Sequence, residues 1–132
     1  AGRLIDADLG LTPKAEDNHN IMTTMTENWT PVCAMDDILP NTGVCALVDD
    51  RPVAIFRVQD AFYAIDNVDP KSSASVLSRG LVGNLGEQIV VASPLYKNHF
   101  DLRTGACLEA PEFSVRAHQV RVDNGRVLVA TA

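Results

Sequence analysis

The stretch HQVRVDNGRVLVAT, residues 118–131, constrains the fold of this chain more than any other part of its sequence. Valines alternate with polar residues on both sides of Asn124-Gly125, which is the pattern of two strands that each bury one face. An Asn-Gly pair between such runs favours a type I′ turn, in which both central residues have positive φ. We therefore predict an antiparallel β-hairpin at this end of the chain.

The rest of the chain from Trp29 onward carries the same β signals, and helical periodicity is nearly absent from it. Apolar runs on either side of Asp49-Asp50 indicate a second hairpin. Two short helical turns are expected, one at 35–40 and one within 72–80. These patterns predict an all-β fold, a small antiparallel sandwich or barrel. Besides the two strands of the final hairpin, the predicted strands are 43–48, 51–58, 62–66, 87–93 and 99–102.

Length and charge exclude several classes of function. With 132 residues the chain is most simply one domain. Its net charge of −6 argues against nucleic-acid binding, which normally requires a basic face. No apolar run approaches the ~20 residues that span a bilayer, and the N-terminus shows no secretory signal pattern. We expect neither a nucleic-acid partner nor a membrane partner.

The cysteines and histidines do not show metal-site spacing. Cys33, Cys45 and Cys107 form no C-x-x-C or C-x-H pair. We expect them to be mostly buried, reduced side chains, as in a cytoplasmic protein. His99 is expected to be a packing or hydrogen-bonding residue, because no second imidazole lies near it in sequence.

The first residues differ in texture from the remainder. Residues 1–24 have little periodicity and several turn-forming residues. We interpret them as an N-terminal extension or an artificial leader and expect them to be disordered. The β domain is expected to cover residues 25–132, beginning at Met25.

Two loops, 66–80 and 92–105, resemble the two halves of a Rieske iron–sulfur motif. The resemblance rests on FYAIDN, LSRG and FDLRTG, which occur in that order with a proline in each loop. It implies a Rieske-type fold of antiparallel sheets whose two loops meet at a [2Fe–2S] cluster.

In the Rieske motif the cluster ligands come as C-x-H in the first loop and C-x-x-H in the second, two thiolates for one iron and two imidazoles for the other. With Pro70 and Pro94 fixing the register, none of the four corresponding positions here holds a cysteine or a histidine. A lysine ammonium is a poor ligand at neutral pH, and the other three side chains offer only oxygen. We therefore expect neither a cofactor nor a metal on this chain. The four positions are Asp69, Lys71, Ser93 and Tyr96.

A more specific resemblance is to the small subunit of assimilatory NAD(P)H-dependent nitrite reductase, the NirD family, which has a Rieske-like domain without cluster ligands. The stretches that carry it include WTPVCAMDDILPNTGVCALVDDRPVAIFR and VVASPLYKNHFDLRTGACLEAPEFSV, and the resemblance spans residues 25–132. It implies a cytoplasmic accessory subunit in nitrate assimilation. The implied partner is a large subunit with FAD, an iron–sulfur cluster and siroheme, which reduces nitrite to ammonium with electrons from NAD(P)H. It implies no catalytic residue on this chain.

The resemblance also suggests a use for the former cluster loops. We hypothesise that their polar, partly aromatic end is part of the interface with the large subunit, because tyrosine is common in interface hot spots. An ordinary solvated loop is the alternative for each residue. Two other functions remain open: a Rieske-type ferredoxin that carries electrons, and a stand-alone β interaction module without a redox role. The candidate interface residues are Asp69, Lys71, Tyr96 and Lys97.

Overall fold

A computed structural model describes residues 28–131 and confirms the predicted all-β fold. The predicted extension, residues 1–24, lies outside the described residues. No helix in the described part of the chain is long and apolar enough to cross a membrane. The strands are β1 (Thr30–Ala34), β2 (Thr42–Val48), β3 (Arg51–Val58), β4 (Ala61–Asp66), β5 (Val68–Asp69), β6 (Ala74–Ser75), β7 (Leu81–Leu85), β8 (Gln88–Ala92), β9 (His99–Asp101), β10 (Ala117–Asp123) and β11 (Arg126–Ala130).

The strands form three antiparallel sheets. The largest has six strands in the order β1-β11-β10-β4-β3-β2, and it contains both predicted hairpins. At the first hairpin Asp49 and Asp50 have φ of 53° and 64°, and at the second Asn124 and Gly125 have φ of 53° and 78°. Both pairs therefore show the two positive φ values that a type I′ turn requires. A three-stranded sheet, β7-β8-β9, and the β5-β6 pair complete the fold.

Strand β3 lies between two hydrophobic clusters, which explains its uninterrupted apolar run from Val53 to Phe56. Because successive side chains of a strand point to opposite faces, Val53 and Ile55 pack into one cluster, and Ala54 and Phe56 pack into the other. The second cluster also contains Val91 and Phe100 from the three-stranded sheet. The two loops with Rieske-like sequence leave from strands that this second cluster holds in place.

The sequence missed some elements and misjudged one core position. Strands β1, β5, β6 and β7 lie outside the predicted strands. The helical turns are single 3₁₀ turns at Met35–Asp37, Leu77–Arg79 and Pro111–Phe113, of which the third was not predicted. Val122, expected in the core from the alternation of the final hairpin, is 41% exposed. In the sheet, β4 pairs with β10 at Ala117 and His118, so Val122 has no β4 residue beside it and lies next to the hairpin turn.

Gly105 ends the second loop region in a place where no side chain fits. Its φ is +81°, and a Cβ at this position would lie 2.2 Å from the carbonyl oxygen of Val115. We expect Gly105→Ala to lower the free energy of unfolding by about 3 kcal/mol or more, because it adds both backbone strain and a backbone clash. Urea denaturation measures this loss.

Gly125→Ala is the matched control. Its φ is nearly the same, +78°, but a Cβ there would meet nothing within 4 Å. This variant should lose only the roughly 1 kcal/mol that the left-handed conformation costs a non-glycine residue. Equal losses of unfolding free energy for the two variants would show that the Val115 carbonyl moves aside at no cost in stability.

Candidate functional site

The two loops with Rieske-like sequence lie next to each other in the structure. The first, residues 67–80, connects β4 to β7, and the second, residues 93–98, connects β8 to β9. The four positions that the sequence predicts to correspond to Rieske cluster ligands come together there as two pairs. The positions of the two thiolates form one pair, and the positions of the two imidazoles form the other.

The inner pair is Asp69 with Ser93. The Ser93 hydroxyl donates to Asp69 Oδ2 over 2.5 Å, across 24 residues of sequence. Both residues are almost completely buried, with 0% and 1% of their surface exposed. A buried carboxylate requires hydrogen-bond donors, and the second oxygen of Asp69 accepts from the Lys71 backbone N–H over 2.9 Å.

The outer pair is Lys71 with Tyr96, and both side chains are exposed. The Lys71 ammonium lies 5.0 Å from the centre of the Tyr96 ring, within the range of a cation–π contact. Leu95, 51% exposed, and Lys97 flank the tyrosine. We call the four residues Lys71, Leu95, Tyr96 and Lys97 the tip.

Backbone bonds hold the second loop in a tight turn. The Ser93 N–H donates to the Asn98 carbonyl over 2.9 Å, and the Lys97 N–H donates to the Ser93 carbonyl over 3.0 Å. Lys97 has a φ of +62°, so the chain reverses immediately after Tyr96. The tip is therefore a defined projection on a rigid sheet, which is an arrangement suited to binding.

Asn67 organises the first loop and was not singled out from the sequence. Its side chain is buried, donates to Ser75 Oγ over 2.7 Å and accepts from the Ser78 backbone N–H over 2.7 Å. Its carbonyl accepts from the backbone N–H groups of Val76 and Leu77. Its position directly after β4 is the signal that could have found it, because Asn often bonds to nearby backbone in loops.

The arrangement does not fit a [2Fe–2S] cluster. Such a cluster needs two thiolates and two imidazoles in these positions, whereas the side chains here are a carboxylate, an ammonium, a hydroxyl and a phenol. In addition, Asp69 and Ser93 are bonded to each other. Among residues 28–131 no group of three or more His, Cys, Asp and Glu side chains is arranged to hold a metal ion.

His99 does not point to metal chemistry, in agreement with its sequence assignment. Its ring Nδ1 lies 2.5 Å from Glu109 Oε2, and its backbone N–H donates to Glu109 Oε1 over 2.8 Å. The backbone bond from His99 is the main cause of a lowered pKa of Glu109, with the ring of His99 adding to it and burial opposing it. The pair ties β9 to the segment that follows Leu108.

The cysteines differ in burial, and Cys45 lies beside the first loop, next to the Ser75 side chain. Cys107 is buried in the second cluster, Cys33 is half-buried on β1, and Cys45 is exposed on β2, which corrects the expectation for that residue. Cys45 was expected inside because it lies in an apolar run, but its neighbours Val44 and Ala46 occupy the inner face of the strand. Burial raises the pKa of Cys33 to about 11, with a smaller contribution from Asp37, so this thiol is unreactive at neutral pH.

Two exposed leucines near the loops were also not predicted. Leu95 belongs to the tip, and Leu81, 80% exposed, begins β7. A groove of about 240 Å³ on the three-stranded sheet is lined in part by Leu81, Gly83 and Leu85. Alternation could have shown that Leu81, Gly83 and Leu85 share a face, but it could not show that this face lacks a cover.

The geometry of the two loops agrees with comparisons to known proteins. The model of the Rieske-like [2Fe–2S] domain family matches residues 28–130. The nitrite reductase (NADH) small subunit of Escherichia coli K12 is 50% identical over 101 residues, which cover 75% of this chain and 94% of that protein. This chain belongs to the family of nitrite reductase small subunits. The Rieske-like resemblance and the more specific one are both confirmed.

Two further relatives place the family in a wider context. The NMR structure of the E. coli protein NirD superimposes with a TM-score of 0.75 at 46% sequence identity, covering 80% of this chain and 98% of that one. The nitrite reductase [NAD(P)H] large subunit of Klebsiella oxytoca is 45% identical over 101 residues, which are 76% of this chain and 11% of that protein. A domain of this family is thus also found within the polypeptide of a large subunit.

Proposed function

We propose that this chain is the accessory small subunit of an NAD(P)H-dependent nitrite reductase. The observation that carries the proposal is the 50% identity to a nitrite reductase small subunit over 94% of that protein. The partner is the large subunit of the enzyme, since a homologous domain is part of the large-subunit polypeptide in K. oxytoca. In that protein the homologous domain and the large subunit are parts of one polypeptide and act in one enzyme. We therefore expect the separate domain of this chain to bind its large subunit.

In this proposal the chain binds no cofactor and supplies no catalytic residue. The redox groups, FAD, an iron–sulfur cluster and siroheme, belong to the large subunit, and the complex works in the cytoplasm. The donor set of the two loops supports this division, because it offers neither a thiolate nor an imidazole to iron. Reconstitution of NADH-driven nitrite reduction, described at the end of the Discussion, tests the proposal.

A Rieske-type ferredoxin is the second candidate, favoured by the match to the Rieske-like [2Fe–2S] family over residues 28–130. An electron carrier of that type needs its cluster ligands. The Asp69–Ser93 bond occupies the place of two of them, and we therefore rank this candidate below the accessory subunit.

The tip is the part of the chain that we propose docks on the large subunit. It combines an exposed tyrosine and leucine with two lysines, in a chain whose net charge is −6. A local positive, aromatic projection on an acidic protein fits an acidic surface with an apolar depression on the partner. Asp69 is buried beneath the tip, so its part in the interface is indirect.

Changing the two central tip residues tests the docking surface. We expect Tyr96→Ala combined with Lys97→Glu to raise the Kd for the large subunit about tenfold or more, because it removes an aromatic anchor and reverses a charge. Calorimetric titration of the purified large subunit measures the Kd.

The matched control combines Val122→Ala with Arg121→Glu. It also removes an exposed apolar side chain and reverses a charge. The two changes lie near the end of β10 that is remote from its pairing with β4, the strand that leads into the first loop. Arg121 lies over the Trp29 ring. A cation–π contact of this kind at an exposed site contributes little to stability. If the tip variant and the control bind equally well, the tip is not the docking surface.

A further inference from the structure

A continuous series of hydrogen bonds connects the first loop with the second loop. The Leu95 backbone N–H donates to Ser93 Oγ over 3.3 Å, and the Ser93 hydroxyl donates to Asp69 Oδ2 over 2.5 Å. On the other side, Asp69 Oδ1 accepts from the Lys71 backbone N–H over 2.9 Å. One chain of hydrogen bonds therefore joins two residues of the tip through the buried Asp69–Ser93 pair.

Each member of the pair also shapes its own loop. The Asp69 carbonyl accepts from the N–H groups of Ser72 and Ser73, over 3.2 and 2.7 Å, which closes the turn of the first loop. The Ser93 backbone closes the second loop through its bonds to Asn98 and Lys97. The two residues that share the buried side-chain bond are therefore also the backbone anchors of their loops.

The outer contact between Lys71 and Tyr96 cannot replace this connection. Both side chains are exposed, and a cation–π contact in water is weak. The Asp69–Ser93 bond, by contrast, is excluded from water, and removal of one partner leaves the other buried and unsatisfied. The inner pair is thus the buried hydrogen bond between side chains of the two loops.

We propose that Asp69 and Ser93 are positioning residues for the tip: their buried hydrogen bond joins the two loops as a cluster would, and holds Leu95 and Tyr96 in the conformation that docks. The inference rests on the proposed function where it concerns docking. The structural part of the inference, namely that the pair fixes the conformation of the tip, does not depend on any partner.

The test uses Asp69→Ala, Ser93→Ala and the double variant of the full chain. We expect each single variant to raise the Kd for the large subunit about tenfold, and the double variant to raise it by much less than the product of the two effects, because both changes break the shared bond and only the separate bonds to Lys71 and Leu95 differ. Hydrogen exchange of the Leu95 amide should be about tenfold faster in Asp69→Ala. If Asp69→Ala does not fold, Ser93→Ala decides through its Kd and through the exchange of the Lys71 amide, which lies on the other side of the lost bond. Leu95 exchange is not used for this variant, because Ser93→Ala also removes the acceptor of the Leu95 N–H.

Two further variants separate positioning from general stability. Ser114→Ala removes another partly buried serine bond, from the Cys107 N–H over 2.9 Å, and should leave the Kd and the Leu95 exchange unchanged. Asp69→Asn keeps one acceptor oxygen but puts an amide NH2 where the second oxygen accepts, so it should restore only part of the affinity that Asp69→Ala loses.

The outcomes distinguish the two proposals. Unchanged Kd in folded Asp69→Ala and Ser93→Ala, with unchanged Leu95 exchange in the first and unchanged Lys71 exchange in the second, would overturn the inference and leave the proposed function intact. Additive effects in the double variant would also overturn it, because two independent roles would then be at work. If the unaltered chain does not bind the large subunit at all, the proposed function fails, and the exchange measurement alone decides whether the pair fixes the tip.

Discussion

Restoring the four ligands of a Rieske centre is expected to convert this chain into a coloured protein with about one [2Fe–2S] cluster per chain. The structure already brings the four positions together as two pairs. The two thiolate positions are in direct contact, 2.5 Å between Oδ2 and Oγ, and the two imidazole positions face each other outside them. Both loops keep their proline and their turn, so only the four ligand positions are changed. The substitutions are Asp69→Cys, Lys71→His, Ser93→Cys and Tyr96→His.

Iron and sulfide content and the visible absorption of the reconstituted protein measure the result. The control carries only Lys71→His and Tyr96→His, which supplies two imidazoles but leaves the Asp69–Ser93 pair in place, and it should acquire no cluster. If the four-residue variant folds, as judged by circular dichroism, and still takes up no iron, the loops do not keep the geometry of a Rieske site. The account of the inner pair as the substitute for a cluster would then be wrong.

Much of the fold could be predicted because it depends on local signals. Asp49-Asp50 and Asn124-Gly125 each lie between alternating apolar runs, and a two-residue turn between such runs allows few arrangements. The apolar run at 51–58 likewise indicates a strand. The structure has these elements where the sequence indicates them.

The remaining elements depend on contacts that a local pattern does not encode. Strand β7 contains Gly83 and Asn84, which weaken its strand signal, and its pairing with β8 supplies the missing preference. Val122 shows why alternation alone overestimates the core. Alternation predicts which side chains share a face of the strand. It does not predict how far a neighbouring strand from another part of the chain extends beside them.

The candidate site could likewise be predicted from the sequence only in part. The prolines at 70 and 94 fix the register, so the sequence identified Asp69, Lys71, Ser93 and Tyr96 as related positions. It did not show that they join in two separate pairs, or that Asp69 lies beneath the tip rather than on it. A hydrogen bond across 24 residues leaves no periodic trace, and Leu95 has the appearance of an ordinary loop residue until its exposure is known.

The central claim is that this chain supports the NADH-driven reaction of a nitrite reductase large subunit. The measurement that tests it most directly is the rate of NADH-dependent nitrite reduction by the purified large subunit, with and without the full chain added. The same assay is run in parallel with an artificial electron donor. The account predicts that the chain restores NADH-driven turnover and leaves the artificial-donor rate almost unchanged. An NADH-driven rate that is the same with and without the chain would contradict it.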